Sequence, residues 1–583
     1  MKQNTSSFLK KYIPILEWLP NYKKTDLQGD LSAGLTVGIM LIPQGMAYAM
    51  LAGLEPIHGL YAVTIPLLLY AIFGTSRQLA VGPVAMVSLL TAAGIASLNP
   101  SSPEQYLMLA LSLAFLVGLI QFGMGALKLG FVVNFLSHPV INGFTSAAAI
   151  IIGLSQIKHL FRINLPNSEH VQEMIVAIYH NIGDIHWITF GIGVLGIIII
   201  KYGKKIHPSF PAPLVAVIIG IGLVAGFDLT NQGVKIVGSV PSGLPSFSSP
   251  SFDLESLKTL FPIALTISLV GFAESFAVAK TIQAKHKNYQ LNANQELIAL
   301  GIANFGSAFF KGYPVTGGFS RTAVNNQAGA KTTMASIISA VLIVLTLLFF
   351  TGLFTNLPSA ILAAVVLVAV SGLIDYKEPI HLWKKDKADF AMLMATFLIT
   401  LTLGIETGII SGMVLSLLVV IYKATRPHMA KLAKVPGTTI YRNTSRFTNL
   451  KEREDILVLR IDGPIYFANV EYIKTKLDQW IQEKEGKLQL IVMNMESITH
   501  IDSTGAHELH EWIAQWKKAG IISAMSNIKG PIRDVLNRWN LLDEVGKENI
   551  FIDDYSACAS FDHEIDPKLL EEINSYATQT TIK

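Results

Sequence analysis

The chain has 583 residues, of which 51% are apolar and only 15% charged, with a net charge of +4. A charged fraction this far below the roughly 25% of soluble chains excludes an ordinary globular protein. The small net charge gives no footprint for nucleic acid, and one cysteine, Cys558, excludes an intrachain disulfide or a cysteine metal cluster.

The shortage of charge is confined to residues 30 to 425, and beyond 430 the composition is that of a soluble domain. Met1 to Lys24 is polar and basic, with Ile15, Trp18 and Leu19 at helical spacing. It reads as an interfacial amphipathic helix and not as a signal peptide. Apolar segments follow near 31–51, 57–73, 106–127, 131–154, 186–200, 212–226, 261–281, 295–310, 333–354, 358–374, 388–404 and 406–423. Two more, near 83–97 and 320–330, are short and irregular, which makes fourteen. Several fall below the roughly 20 residues of an upright span, the pattern of a transporter with broken helices.

Lysine and arginine set the orientation. With the N-terminus in the cytoplasm, seventeen basic residues fall in inner loops, among them Lys23, Lys24, Arg77, Lys128, Lys201, Lys280, Lys331, Lys377, Lys384, Lys385 and Lys387. Only Lys158, Arg162, Lys235, Lys258 and Lys311 fall outside. An even number of spans then leaves the C-terminus in the cytoplasm as well.

Leu35–Met50 (LTVGIMLIPQGMAYAM) aligns without gaps on Leu265–Lys280 (LTISLVGFAESFAVAK), placing Gln44 opposite Glu274. VGPVAMVS from Val81 lies opposite GGFSRTAV from Gly317. Two matches in the same order predict a seven-plus-seven repeat. Seven is odd, so the halves are inverted and the site lies at their interface near the midplane.

The second matched pair marks that site. In QLAVGPVAMVS (Gln78–Ser88) and YPVTGGFSR (Tyr313–Arg321), an extended run meets Gly-Pro or Gly-Gly and then a helix. Two helix N-termini facing one cavity inside a membrane offer unpaired amides and partial positive charge, which is an anion site. The bland alternative is a pair of kinks between packed helices. Ser320 adds a hydroxyl and Arg321 a full charge. A cation at that depth costs at least ~2.5 kcal/mol and serves function or pairs internally. Setting the field while pairing elsewhere is the preferred role for Arg321 over direct contact. Glu274 sits mid-span, where burial and a nearby cation push a carboxyl in opposite directions. It is a proton-coupling candidate, against a structural pair with Arg321. Gln44 can hydrogen-bond an oxyanion, and Tyr48, one turn on, can wall the pocket. His138 and Glu406 fall near span ends and read as capping or packing residues. The histidines are scattered, so no metal site is expected, and no phosphate-binding GxxxxGK[ST] loop is present.

Beyond the membrane part, strand-like runs at Ile456–Ile461, Leu488–Met493 and Ile521–Met525 alternate with helical runs at Val470–Glu483, Gly505–Lys518 and from Pro531 to about Leu541. This is a small α/β domain. The boundaries read as an N-terminal segment 1–28, a membrane domain 29–425, linker and edge structure 426–454, the α/β domain 455–560 and a tail 561–583. Asp502 or Ser503 would cap the helix that begins at IDSTG, and the same place would accept a phosphate.

IPQGMAYAMLAGLEPIHGLY (Ile42–Tyr61), LAVGPVAMVSLL and the run from Lys287 to Thr332 resemble the SulP (sulfate permease) family, and IDSTG resembles its STAS domain. The resemblance covers nearly the whole chain. It implies core and gate domains moving in an elevator-like cycle, substrate between the third and tenth helices, and homodimers held partly by STAS. Gln44, Tyr48, Val84, Phe319, Ser320 and Arg321 match the family's anion pocket, with Ala85 and Gly318 beside them at the same two helix starts. Glu274 matches the acidic position of the eighth span. Sodium-coupled bicarbonate members carry Asp there and Thr four residues on; this chain has Glu274 and Val278, as proton-coupled sulfate and dicarboxylate members have Glu. Ser503 and Thr504 match a region phosphorylated in related anti-sigma antagonists. The expectation is a multi-pass inner-membrane protein, not an enzyme and without cofactor, that carries sulfate with a proton. A bicarbonate or dicarboxylate carrier, an uncoupled anion channel and a membrane-tethered regulator acting through STAS are the alternatives.

Overall fold

The computed structural model describes residues 12–131, 137–165, 170–206, 211–286 and 289–565. The tail beyond residue 565 and the inner-loop residues Lys10, Lys11 and Lys287 lie outside them, as do the side chains of Lys204, Lys205 and Glu406. The chain divides into two compact units, Met1–Ser416 and Leu417–Lys583.

Apolar runs without charge make long helices, and Gly or Pro ends them early. The first repeat contains α1 (Lys24–Leu51), α2 (Pro56–Tyr61), α3 (Ile65–Phe73), β1 (Val81–Gly82), α4 (Ala85–Ala96), α5 (Pro103–Ala126), α6 (His138–Phe161), α7 (Val171–His180), α8 (Trp187–Ile206) and α9 (Ala212–Gly226). The second contains α10 (Leu254–Gln283), α11 (Ala293–Phe309), β2 (Thr316–Gly317), α12 (Phe319–Gln327), α13 (Met334–Phe349), α14 (Ser359–Ser371), α15 (Lys377–Lys385), α16 (Lys387–Leu403) and α17 (Ile405–Thr425). Counting α2 and α3 as one broken span, and setting aside α7 and α15, fourteen segments result among the described residues. Six of them are long and apolar enough to cross a membrane.

Packing obeys the inverted repeat. The α1–α13 contact is mirrored by α10–α5, and α8–α14 by α16–α6, while α3–α11 and α6–α14 are each their own counterpart. These pairs sort the helices into two groups, α1–α5 with α10–α13 and α6–α9 with α14–α17, the core and the gate.

Three expectations need correction. The span read as 131–154 is a helix over His138–Phe161. Pro139 starts it, Arg162 ends it in the left-handed region at φ 58°, and polar Gln156, Lys158 and His159 hid its last turn from a hydropathy reading. Of the stretch read as an amphipathic helix, Met1–Lys11 lie outside the described residues. Tyr12 is helical, and Ile15, Trp18 and Leu19 fall not on one helix face but in an α-turn at Ile15–Trp18 and a 3-10 turn at Leu19–Asn21, set off by Pro14 and Pro20. Amphipathic α7 and α15 went unread because their apolar stretches, at most the six residues Met174–Tyr179, are far too short for a span.

Two buried carboxylates hold the short loops beside the broken helices. Glu296 accepts from Thr75 N and Thr75 Oγ1, each at 2.6 Å, from Ser76 N at 3.0 Å and from the Tyr70 hydroxyl at 2.7 Å. Asp30 accepts from Lys331 N at 2.6 Å, Thr332 N at 3.0 Å, Thr332 Oγ1 at 2.6 Å and Tyr22 at 3.0 Å. Glu296→Ala strands two amides and two hydroxyls in an apolar interior, at about 1–3 kcal/mol for each group left unpaired. A fall in the melting temperature of the detergent-solubilised protein is expected, much larger than for Glu296→Gln, which keeps an acceptor.

In the second unit, β3 (His428–Lys434), β4 (Tyr441–Asn443), β5 (Ile456–Asp462), β6 (Leu490–Asn494), β7 (Ile522–Ser526) and β8 (Ile550–Phe551) form one sheet in the order β4-β3-β5-β6-β7-β8. The β5 to β8 pairs are parallel, and β3 is antiparallel to both neighbours. Within the stretch read as linker and edge structure, β3 and β4 are thus strands of this sheet. Helices α18 (Val470–Gln482), α19 (Ser503–Lys518) and α20 (Gly530–Arg538) bury Leu477, Leu509, Trp512 and Leu536 in its larger core. Past the short helix α21 (Leu541–Val545), α22 (Asp554–Phe561) belongs to a second, smaller core that holds Cys558. Burial pushes the Cys558 thiol up to about 11. Only about one thiol in a thousand is then ionised at pH 8. Native protein at that pH should resist maleimide, label once denatured, and react about tenfold faster per pH unit on the way to 11.

Candidate functional site

The site is built where β1 and β2 cross. Val81 pairs with Gly317 and Gly82 with Thr316, antiparallel, in the middle of an otherwise helical unit. Extended chain there must satisfy its own polar groups, since a membrane interior supplies no water. Mid-helix polar side chains do this. Asn304 on α11 mimics a strand, accepting from Val315 N at 2.8 Å and donating to its carbonyl at 3.0 Å. On α10, Ser275 accepts from Gly317 N at 2.7 Å and contacts Thr316 Oγ1 at 2.6 Å. Across the crossing, Thr322 Oγ1 accepts from Ala80 N at 3.1 Å, Gly318 N donates to Ala80 O at 3.1 Å, and Asn325 donates to Gln78 O at 2.8 Å.

Helices α4 and α12 start directly after the crossing. Their N-cap residues, Val84 and Gly318, are extended and supply no side-chain cap. The first amides of both helices therefore point onward without a capping partner from their own N-cap. Arg321 links the two helix starts. It is 2% exposed, and its Nη1 donates to Pro83 O at 2.5 Å. Its Nε and Nη2 are buried without a partner, and no carboxylate among the described residues forms an ion pair with it. Gly318 leaves room for this guanidinium: a Cβ would stand 2.8 Å from Nη2 and 3.0 Å from Cζ of Arg321 and would push it aside.

A cavity of about 70 Å³ opens at these helix starts, lined by Gln44, Tyr48, Val84, Ala85, Glu274, Gly318, Phe319, Ser320 and Arg321. All eight residues read from sequence as the anion pocket, and Glu274, meet in this one space. Phe319 and Ser320 are exposed, whereas Gln44, Tyr48, Val84 and Ala85 are buried. Met86, Ala369 and Leu373 complete the lining and were not expected. Ala369 and Leu373, on α14 and just past its end, bring the gate group to the pocket, but apolar residues in an apolar run carry no signal in sequence.

Glu274 also lines a second cavity of about 240 Å³, with Val140, Ile141, Phe144, Val270, Ala273, Val278, Phe319 and Ile409. Its Oε2 is buried without a hydrogen-bond partner. The carboxyl thus stands between the small cavity at the helix starts and a larger, more apolar one. Of the residues read as capping or packing, His138 Nδ1 lies 3.6 Å from Glu378 of α15. In the second unit Asp502 caps α19, accepting from Gly505 N at 2.7 Å and from Phe467 N at 3.0 Å, and leaves Ser503 and Thr504 exposed.

The profile of the sulfate permease family matches residues 27–396, and that of the STAS domain residues 448–554. "Sulfate transporter 4.1, chloroplastic" of Arabidopsis thaliana is 40% identical over 558 residues, spanning 92% of this chain and 81% of that protein. "High affinity sulfate transporter 2" of Stylosanthes hamata is 34% identical over 579 residues, 95% of this chain and 87% of that one. Among solved structures, the murine Solute Carrier 26 family member A9 anion transporter, inward-facing, superposes with a TM-score of 0.89 at 25% identity, covering 96% of this chain and 95% of that. The transmembrane domain of a cyanobacterium bicarbonate transporter, BicA, shares the fold at a TM-score of 0.59 and 23% identity, over 68% of this chain and 98% of that one.

Proposed function

The chain belongs to the sulfate permease family, whose members are transporters and not enzymes, and from that premise we propose that it carries sulfate together with a proton into the cytoplasm. The observation that carries this reading is one cavity holding two uncapped helix N-termini, the unpaired nitrogens of Arg321 and the unpaired carboxyl oxygen of Glu274. Amides and guanidinium hold the dianion; the carboxyl takes the proton. The gate residues Ala369 and Leu373 face the core's half-helices across that cavity, so a displacement of core against gate would carry the bound anion past them in an elevator-like cycle. Val278, one turn from Glu274, offers no hydroxyl, which favours protons over sodium as the coupling ion.

The charge asymmetry of the loops supports cytoplasmic termini, and a cell inner membrane is proposed as the location. STAS domains are proposed as the partial seat of a homodimer, and exposed Ser503 and Thr504 as regulatory phosphorylation sites.

Labelled sulfate, bicarbonate and fumarate offered to proteoliposomes, with and without pH and sodium gradients, test the reading. Saturable sulfate uptake driven by an inward proton gradient is expected. Preference for bicarbonate or fumarate would replace the substrate assignment. Non-saturating current without pH dependence would replace the carrier by a channel.

A further inference from the structure

Each half of the repeat contains one helix too short to cross a membrane, α7 and α15. Both are amphipathic in the same sense. In α7, Met174 is buried while Ile175, Val176 and Tyr179 are exposed. In α15, Leu382 is buried while Ile380 and Trp383, with Tyr376 just before them, are 57%, 58% and 69% exposed. Positions 376, 380 and 383 share one face at helical spacing. An exposed stripe of aromatic and aliphatic side chains on a helix strung between membrane spans is the mark of an interfacial helix.

The two helices differ in charge. Lys377, Lys384, Lys385 and Lys387 surround the apolar stripe of α15 and its end, all exposed and, among the described residues, none in an ion pair. Helix α7 carries Glu173 and neither Lys nor Arg. Helix α15 is also fixed in place. Asp375 accepts from Lys377 N at 2.9 Å and Glu378 N at 3.2 Å, and from Asn142 of α6 at 3.3 Å. It begins six residues after α14 ends, and α16 starts two residues after it. The exposed stripe and its lysines therefore stay beside the ends of α14 and α16, where a membrane surface would lie.

We propose that α15 is a binding site for anionic phospholipid, its apolar stripe seated among acyl chains and its four lysines holding the phosphate groups of the cytoplasmic leaflet. Helix α7 is the charge-poor counterpart in the opposite leaflet. Together they fix the gate at both surfaces while the core moves. The leaflet assignment rests on the orientation proposed above.

The test uses the full chain carrying Cys558→Ser and Ile380→Cys, with a fluorophore at position 380, in mixed phosphatidylcholine and phosphatidylglycerol vesicles. Bromine is carried by the acyl chains of one lipid at a time. Brominated phosphatidylglycerol should quench at least about tenfold more per mole than brominated phosphatidylcholine, because each lysine near the surface favours anionic lipid. With all four lysines changed to glutamine, the two should quench alike. Equal quenching in the unmodified background overturns the proposal. So does quenching by neither lipid, which would mean that a protein surface covers the stripe. Membrane-impermeant maleimide at His381→Cys, exposed and off the apolar stripe, reads the orientation separately in the Cys558→Ser background: labelling only after cell lysis is expected. Labelling of intact cells would overturn the leaflet while leaving the lipid contrast standing.

Discussion

Glu274→Gln is expected to turn gradient-driven accumulation into simple equilibration. In proteoliposomes with one anion coupled to one proton and the membrane potential clamped at zero, because a dianion with one proton moves a net negative charge, a pH difference of one unit sustains about a tenfold concentration ratio, since each unit is worth 1.36 kcal/mol. The amide keeps the size of the carboxyl and its place between the two cavities, but it cannot exchange a proton. Sulfate-for-sulfate exchange should continue, because the helix N-termini and Arg321 are untouched. The accumulation ratio should fall to about one at every pH. The structural alternative, a fixed Glu274–Arg321 pair, makes a different prediction. Breaking a buried pair strands the arginine and costs about 3–5 kcal/mol of stability. No such ion pair forms, and Glu274 Oε2 has no partner, so thermal stability should be nearly unchanged. If Glu274→Gln still accumulates sulfate against a proton gradient, the coupling group lies elsewhere.

Much of this site could be read before the fold was known, and for physical reasons. A helix that begins inside a membrane needs residues that permit sharp turns and close approach, and Gly82-Pro83 and Gly317-Gly318 announced both starts. A charge among apolar residues is costly enough to stand out, so Arg321 and Glu274 were legible. The repeat supplied their meeting place. The supports were less visible, although Asn304 and Ser275 left a faint signal as polar residues within apolar helices. Their pairing with the strands could not be read, because it depends on which helix lies behind β2. Ala369 and Leu373 were silent. The amphipathic helices α7 and α15 were missed for the opposite reason from α6. The first two had too little apolar sequence to count as spans, whereas α6 had polar residues at the end that completes it. In the soluble unit the strong runs of β5, β6 and β7 were plain. Strands β3 and β4 fell in the stretch read as linker and edge structure: β4 is an edge strand with Arg and Asn in its three residues, and β3, though paired on both sides, carries Lys431 and Lys434 and lacks a strong apolar run.

Arg321 carries the second large effect. Arg321→Ala should lower kcat/KM for sulfate by about a hundredfold or more, which corresponds to roughly 3 kcal/mol. Two losses combine: the buried positive charge goes, and the carbonyl of Pro83 loses its partner, loosening the link between the two helix starts. Arg321→Lys separates them. An ammonium keeps the charge and can still donate to Pro83 O, but as a compact donor it cannot hold that bond and also present a second nitrogen in the plane of a fork. A raised KM with a smaller change in kcat is therefore expected. Gly318→Ala offers an independent route to the same defect, since its Cβ would press on the guanidinium from 2.8 Å and displace it without altering its charge. Sulfate-dependent thermal shifts in the three variants give the ranking apart from turnover: largest loss for Ala at 321, intermediate for Lys, and a loss at Gly318→Ala that follows how far the guanidinium is moved. Wild-type KM in Arg321→Ala would mean that the helix N-termini hold the anion alone and that Arg321 only ties one half-helix to the other.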